Sequence, residues 1–358
     1  MKAIAAFILL VSLSTSGWSQ GLSIENAMDS LYATVSPQLL VLGEDHTKDN
    51  TRHYVRVIRH LYTTQNVRTV AWEFGKSFQK LMNDYLLYGN PSIFKEFKKG
   101  RMYNEKDHVQ LLVEIRKLNE TLAKDDPIKI VCFDIEHDTR AKVFIPLRRF
   151  LSSFEDLNVP ELDSIIRTRP YLEFESQEAC VNILMNILTN RREYTQIFGE
   201  HYQDLIDLVE GSHFEALYPN DPDTVTHKRE LFMGRMISGW FKDHESENLV
   251  MICGADHGSL LEGDSWLSTP SSVICNLKNE LNISIYSFRT MYYNTRKGLL
   301  SSLFDDEIDY VKLDLEEEFL MGGYEDYLLF LTEEIDSSEV ISDRYDGIFM
   351  KNCHGKRK

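Results

Sequence analysis

Short apolar runs alternate with amphipathic stretches along most of the chain. Leu39–Leu42, Thr69–Trp72, Ile128–Phe133 and Leu249–Cys253 are mostly apolar and lack the polar alternation of a half-exposed strand. Runs of this kind fit parallel strands that are covered on both faces. Ile283–Phe288, Tyr327–Leu331 and Gly347–Met350 read as further short strands. Between the strands, Asn50–Thr64, Ser77–Tyr88 and Asp107–Lys124 are amphipathic, and Asp49 or Asn50 is suited to cap the first of them. The alternation predicts a three-layer α/β fold, a mostly parallel central sheet with helices on both faces.

The strand pattern stops between Pro160 and about His244. Helices are predicted there over Gln177–Leu188, Asn190–Leu208 and Thr224–Lys242, with Pro219-Asn220-Asp221-Pro222 as a turn. This block reads as a helical insertion at about residues 155–245, long enough to reach over the carboxyl edge of the sheet.

The first residues have the layout of a secretory signal. Lys2 supplies the positive start, Ala3–Leu13 the apolar stretch, and Gly17-Trp18-Ser19 the small residues before a cut at Gln20. Residues 1–19 are therefore expected to be a signal peptide, with 20–358 forming the exported domain, periplasmic or secreted. The apolar stretch is shorter than the roughly 20 residues a membrane-spanning helix needs, and no transmembrane segment is expected elsewhere. With 56 acidic against 39 basic residues, the net charge of −17 repels phosphate backbones and argues against a nucleic-acid partner. The most acidic stretch, Asp305–Glu318, reads as a solvated face or loop. None of the five cysteines has C-x-x-C spacing, so neither a zinc knuckle nor a disulfide framework is expected.

Two copies of one pattern follow predicted strands: Gly43-Glu44-Asp45-His46 and Gly254-Ala255-Asp256-His257. A glycine closing a strand lets the chain turn, and the polar side chains after it gather at the carboxyl edge, where open α/β sheets bind ligands. Other strand ends add Glu73, then Asp134, Glu136 and His137. In a parallel sheet all of these face one crevice. Asp256 is placed either to orient His257 or to cap a helix, and His53 belongs to a supporting layer or the surface.

The chain resembles a superfamily that joins the erythromycin esterases, the ChaN-type haem-binding proteins and the Tiki and TraB proteins. Leu42-Gly43-Glu44-Asp45-His46, with Asp49-Asn50 and His53, is similar to the ChaN-type opening motif. Val70-Ala71-Trp72-Glu73-Phe74 looks like the second-strand glutamate block, with Gln79 and Tyr85-Leu86 in the helix after it. Arg229-Glu230-x-x-Met233 looks like the Arg-acid-x-x-Met element of the esterases, and Val250–His257 like the block that ends in the second histidine. Tyr345-Asp346-Gly347-Ile348-Phe349 resembles a C-terminal strand of esterase-like members. One departure is that Asp45 alone separates Glu44 from His46, as in the ChaN and Tiki pattern, whereas two residues do so in the esterases.

The chemistry these residues suggest is hydrolysis of a small-molecule ester or amide by an activated water. His46 is the expected base, oriented by Glu44 and Glu73, while His257 and Arg229 stabilise charge on the carbonyl oxygen. No cofactor is required on this reading. Past the expected signal cut at Gln20, no G-x-S-x-G nucleophile elbow is present. Two alternatives use the same residues. His46, His257, Glu44 and Glu73 suit a divalent metal, as the Tiki resemblance implies. The ChaN resemblance implies haem, with a tyrosine or histidine as axial ligand.

Overall fold

The computed structural model describes residues 24–44, 46, 50–100, 105–123, 126–136, 144–154, 159–160, 162, 173–217, 222–260, 272–293, 326–330 and 346–352. The signal-like start, Asp45, Asp49, His137, Pro219 to Asp221, Asp305–Glu318 and Tyr345 lie outside them.

Seven strands form one sheet in the order β3-β2-β4-β1-β5-β7-β6. They are β1 Leu39–Glu44, β2 Thr69–Gly75, β3 Lys129–Asp134, β4 Leu249–Gly254, β5 Ile285–Tyr293, β6 Asp326–Phe330 and β7 Gly347–Asn352. Every pairing is parallel except that of β6 with β7 at the edge. The expected α/β sheet is thus present, with its one antiparallel strand at the margin.

The continuous apolar runs are explained by helices on both faces. Leu40, Leu42, Val70, Trp72, Val250 and Ile252 pack on one side with Tyr54, Val57, Ile58, Leu61, Leu81 and Met82. Leu39, Val41, Ala71, Leu249, Met251 and Cys253 pack on the other with Met233, Ile237, Phe241, Val273 and Leu277. Successive strand residues therefore enter opposite cores, as the two-residue period requires. Each such fully buried aliphatic side chain contributes about 1.5–3 kcal/mol. A charge at Val250 would disrupt the first core.

Between β3 and β4 the regular elements among the described residues are helical. Helices Phe144–Leu151, Glu173–Thr189, Arg191–Phe198 and Tyr202–Leu217 share a core of Phe150, Ile183, Ile187, Phe198, Leu205 and Leu208. The single helix expected over Asn190–Leu208 is in fact two. Gly199 adopts φ of +55° and a short 3-10 turn, Gly199–His201, divides them.

The site lies where the crossovers change face. The Thr51–Gln65 and Lys76–Tyr88 helices, which follow β1 and β2, lie against the first core. The Pro222–Asp243 helix before β4 and the Val273–Glu280 helix after it lie against the second. Neighbouring strands β2, β4 and β1 thus send their chains to opposite sides, which opens a crevice at their carboxyl ends.

Candidate active site

The two Gly-x-x-His segments meet side by side, because Gly43 pairs with Cys253 and Glu44 with Gly254. Their glycines are needed for close approach. A Cβ on Gly43 would come within 3.0 Å of the Ala255 Cα and the Phe288 carbonyl oxygen. A Cβ on Gly254 would lie 2.8 Å from His46 Nε2 and 3.5 Å from Glu73 Oε2. Gly254 is therefore the floor on which the polar side chains converge.

Glu44 ends β1 with one oxygen on each of two neighbours. Its Oε1 lies 3.3 Å from His46 Nδ1, and its Oε2 accepts from Asn50 Nδ2 at 3.3 Å. Of the two residues expected as the cap, Asp49 or Asn50, Asn50 stands at the N-cap, and its side chain reaches back to Glu44 with no side-chain cap bond. The His46 side chain is 47% exposed, so it is the member of the group that meets solvent. The hydrogen bond to Glu44 raises the His46 pKa above its ordinary value, and the charge of Glu73 adds to that against the effect of burial.

Glu73 sits at an irregularity in β2. Trp72 pairs with Cys132 but Gly75 with Asp134, so β2 carries one extra residue there. Such bulges re-aim side chains beside functional sites. Glu73 Oε1 accepts from Arg229 Nη2 at 2.6 Å and faces His257 Nε2 at 3.3 Å. Its Oε2 accepts from the Gly254 backbone N–H and lies 3.7 Å from His46 Nε2. Burial alone would raise the Glu73 pKa, but the charges of His257 and Arg229 hold it at about 2.

Arg229 and Glu230 come from the Pro222–Asp243 helix, which Met233, fully buried, anchors to the second core. Arg229 donates through Nε and Nη2 to the two oxygens of Asp134 at 2.8 and 2.7 Å. Among the described residues, these bonds and the one to Glu73 use Nε and Nη2, leaving Nη1 over. Burial works to lower the Arg229 pKa, yet Asp134 and Glu73 raise it. Glu230, 0% exposed, meets His257 Nδ1 at 2.6 Å with Oε1 and accepts from the Val273 N–H at 2.8 Å with Oε2. His257 is thus enclosed between two carboxylates. Burial would lower its pKa, but Glu73 and Glu230 hold it at about 10.

Glu44, His46, Glu73, Arg229 and His257 accordingly form one connected group, and Asp134 joins it through Arg229. Two expectations need correction. The carboxylate that orients His257 is Glu230, while Asp256 is exposed in the short turn after β4. Glu136 serves the Lys76–Tyr88 helix instead of the crevice, accepting from Ser77 N–H at 2.7 Å and Ser77 Oγ at 2.8 Å. Of the two places expected for His53, a supporting layer or the surface, the structure has it buried within the Thr51–Gln65 helix. Glu230 went unassigned in the sequence although it stands beside Arg229. Its spacing alone separates it poorly from a surface glutamate, and only the partner at His257 singles it out.

The residues of the candidate metal set are engaged with one another and with Arg229 and Glu230. Both His257 nitrogens already face carboxylates, two cations flank Glu73, and among the described residues no group of three or more His, Cys, Asp or Glu side chains is arranged to hold an ion. A small cleft borders Glu44, lined also by Asn50, Thr51, Tyr54, Trp72, Asp107, His108 and Leu111.

No family model and no curated protein matches the chain. Solved structures do match over nearly their whole length. A Bacillus cereus protein is 13% identical with a TM-score of 0.63, covering 98% of each chain. A succinoglycan biosynthesis protein is 12% identical with a TM-score of 0.61, covering 93% of this chain and 94% of its own. An erythromycin esterase mutant in its open conformation is 11% identical with a TM-score of 0.66, covering 94% of this chain and 97% of its own. At these identities the likeness establishes the α/β fold, and the esterase is among the proteins that share it.

Proposed function

We propose that the protein is an exported hydrolase that cleaves an ester or amide with a water activated by His46. The observation that carries this reading is the Glu44–His46 pair. Glu44 holds Nδ1 at 3.3 Å, while the ring stays 47% exposed at the carboxyl edge of the sheet. With Nδ1–H directed to the carboxylate, Nε2 is the basic nitrogen, the arrangement a general base needs. Its raised pKa makes it a stronger base, provided it is deprotonated at the working pH.

The remaining residues take roles that follow from their contacts. A water beside His46 Nε2 is also within the field of Glu73, which is fixed by Arg229, His257 and the Gly254 amide. As the water attacks a carbonyl carbon, His46 takes its proton and negative charge grows on the carbonyl oxygen. Arg229 is the residue assigned to that charge, through Nη1, on a guanidinium that stays charged. His257 acts one step back: its positive charge keeps Glu73 in place, since both its nitrogens are already engaged. The tetrahedral intermediate then collapses, and the proton on His46 passes to the leaving alcohol or amine. That a protein named as an erythromycin esterase shares this fold supports the reading at the level of fold alone.

The test is a panel of small esters, lactones and amides turned over by the mature protein and by His46→Ala. The expected result is turnover by the first and a rate lower by about 10² or more in the second. Equal rates in both would remove His46 from the chemistry.

A further inference from the structure

The Arg229-Glu230 pair clamps the site from two directions. Successive residues on a helix point about 100° apart. Arg229 accordingly reaches the ends of β2 and β3, at Glu73 and Asp134, and Glu230 reaches the segment after β4. The two meet again through His257, whose other nitrogen faces Glu73. Glu230 has no exposure to solvent, and both of its oxygens are engaged, one by His257 and one by the first amide of the Val273–Glu280 helix. That amide lies at the positive end of the helix, where a carboxylate is favoured.

We infer that Glu230 is a positioning residue, which fixes the His257 ring in its plane with Nε2 directed at Glu73. A carboxyl oxygen faces each ring nitrogen, at 2.6 Å from Nδ1 and 3.3 Å from Nε2, so the ring is held from both edges. The groups around the ring are Glu73 from β2, Glu230 and Arg229 from the Pro222–Asp243 helix, and His46 from the turn after β1. Of these, Glu230 is the acid bonded to Nδ1. Its loss frees the ring to rotate, so that Glu73 loses one of the partners that hold it beside His46. Asp256, next to His257 in sequence, does not supply this function, since it is exposed.

The kinetic arm of the test rests on the hydrolytic reading above; the spectroscopic arm does not. A 2.6 Å Nδ1–H···Oε1 bond gives a far-downfield proton resonance, assignable by its absence in His257→Gln. In Glu230→Gln this resonance is expected to vanish while the melting transition persists. On the ester panel kcat is expected to fall by about 10², with KM changing less, as for loss of the carboxylate behind a functional imidazole. Glu230→Asp should recover part of both signals; if the amide variant fails to fold, the aspartate variant decides, through a shifted resonance. A resonance that persists unmoved in either variant, or that vanishes with kcat intact, overturns the assignment. Absence of turnover by the unaltered protein would overturn the hydrolytic reading and leave the spectroscopic test of Glu230 standing.

Discussion

Gly254 shows how much depends on one missing methyl group. A Cβ there would press on His46 Nε2 at 2.8 Å, and that ring is half exposed and able to swing away. Gly254→Ala is therefore expected to fold with a melting temperature close to the original and to lose about 10² in kcat/KM, the scale of a 1 Å misplacement. Parallel melting and rate measurements check this; a stable variant of full activity would place the reacting centre elsewhere. The repeated Gly-x-x-His pattern made both histidines and both glycines legible in the sequence. It did not show that they differ in kind, one ring at the surface and the other enclosed by acids. That difference comes from Glu230, 27 residues before His257 in the chain, and no local pattern connects the two.

Among the elements, the strands were legible because they are covered on both sides and read as unbroken apolar runs. Their ends were less so. β5 was expected over Ile283–Phe288 and runs Ile285–Tyr293, its later half paired with β7. The helix expected to reach Lys124 stops at Asn119, whose side chain instead pairs with both backbone groups of Ile128 and so fixes the entry to β3. The Ile24–Thr34, Ser92–Gly100, Phe144–Leu151 and Val273–Glu280 helices went unread, all four of them 11 residues or fewer. Glu136 is likewise a tertiary cap that sequence spacing does not reveal. Its carboxylate fills the space where Gly75 lacks a Cβ, 2.4 Å from that position, and lies 3.5 Å from the buried Arg149. Glu136→Ala should cost on the order of 2–3 kcal/mol, since it strands the Ser77 donors and leaves the buried Arg149 with Glu96 but without its second carboxylate. Denaturant titration measures this; an unchanged midpoint would mean that the cap is dispensable.

At the scale of the molecule, the charged network ties stability to pH. His257 is raised from 6.5 to about 10, so its contribution is complete below the ordinary imidazole value and is lost as pH rises through about 10. Glu73 is lowered from 4.5 to about 2, so its contribution is present above the ordinary carboxylate value and is lost as pH falls toward 2. The melting temperature is expected to decline between about pH 7 and 10, and His257→Gln should flatten that limb. Equal slopes in both proteins would mean that His257 carries no linked charge. The same network joins β1, β2, β3, β4 and the Pro222–Asp243 helix, so the crevice holds together only in the assembled sheet.

The measurement that bears most directly on the proposed base is the pH profile of kcat/KM on an activated ester, for the unaltered protein, Glu44→Gln and His46→Gln. This quantity reports the groups of the free enzyme. Activity should rise with pH through a limb lying above the ordinary imidazole value of 6.5, because His46 must lose its proton to act and Glu44 holds that proton. Glu44→Gln should move the limb to lower pH, and His46→Gln should abolish it with nearly all the rate. A limb that survives unchanged in His46→Gln would contradict the account.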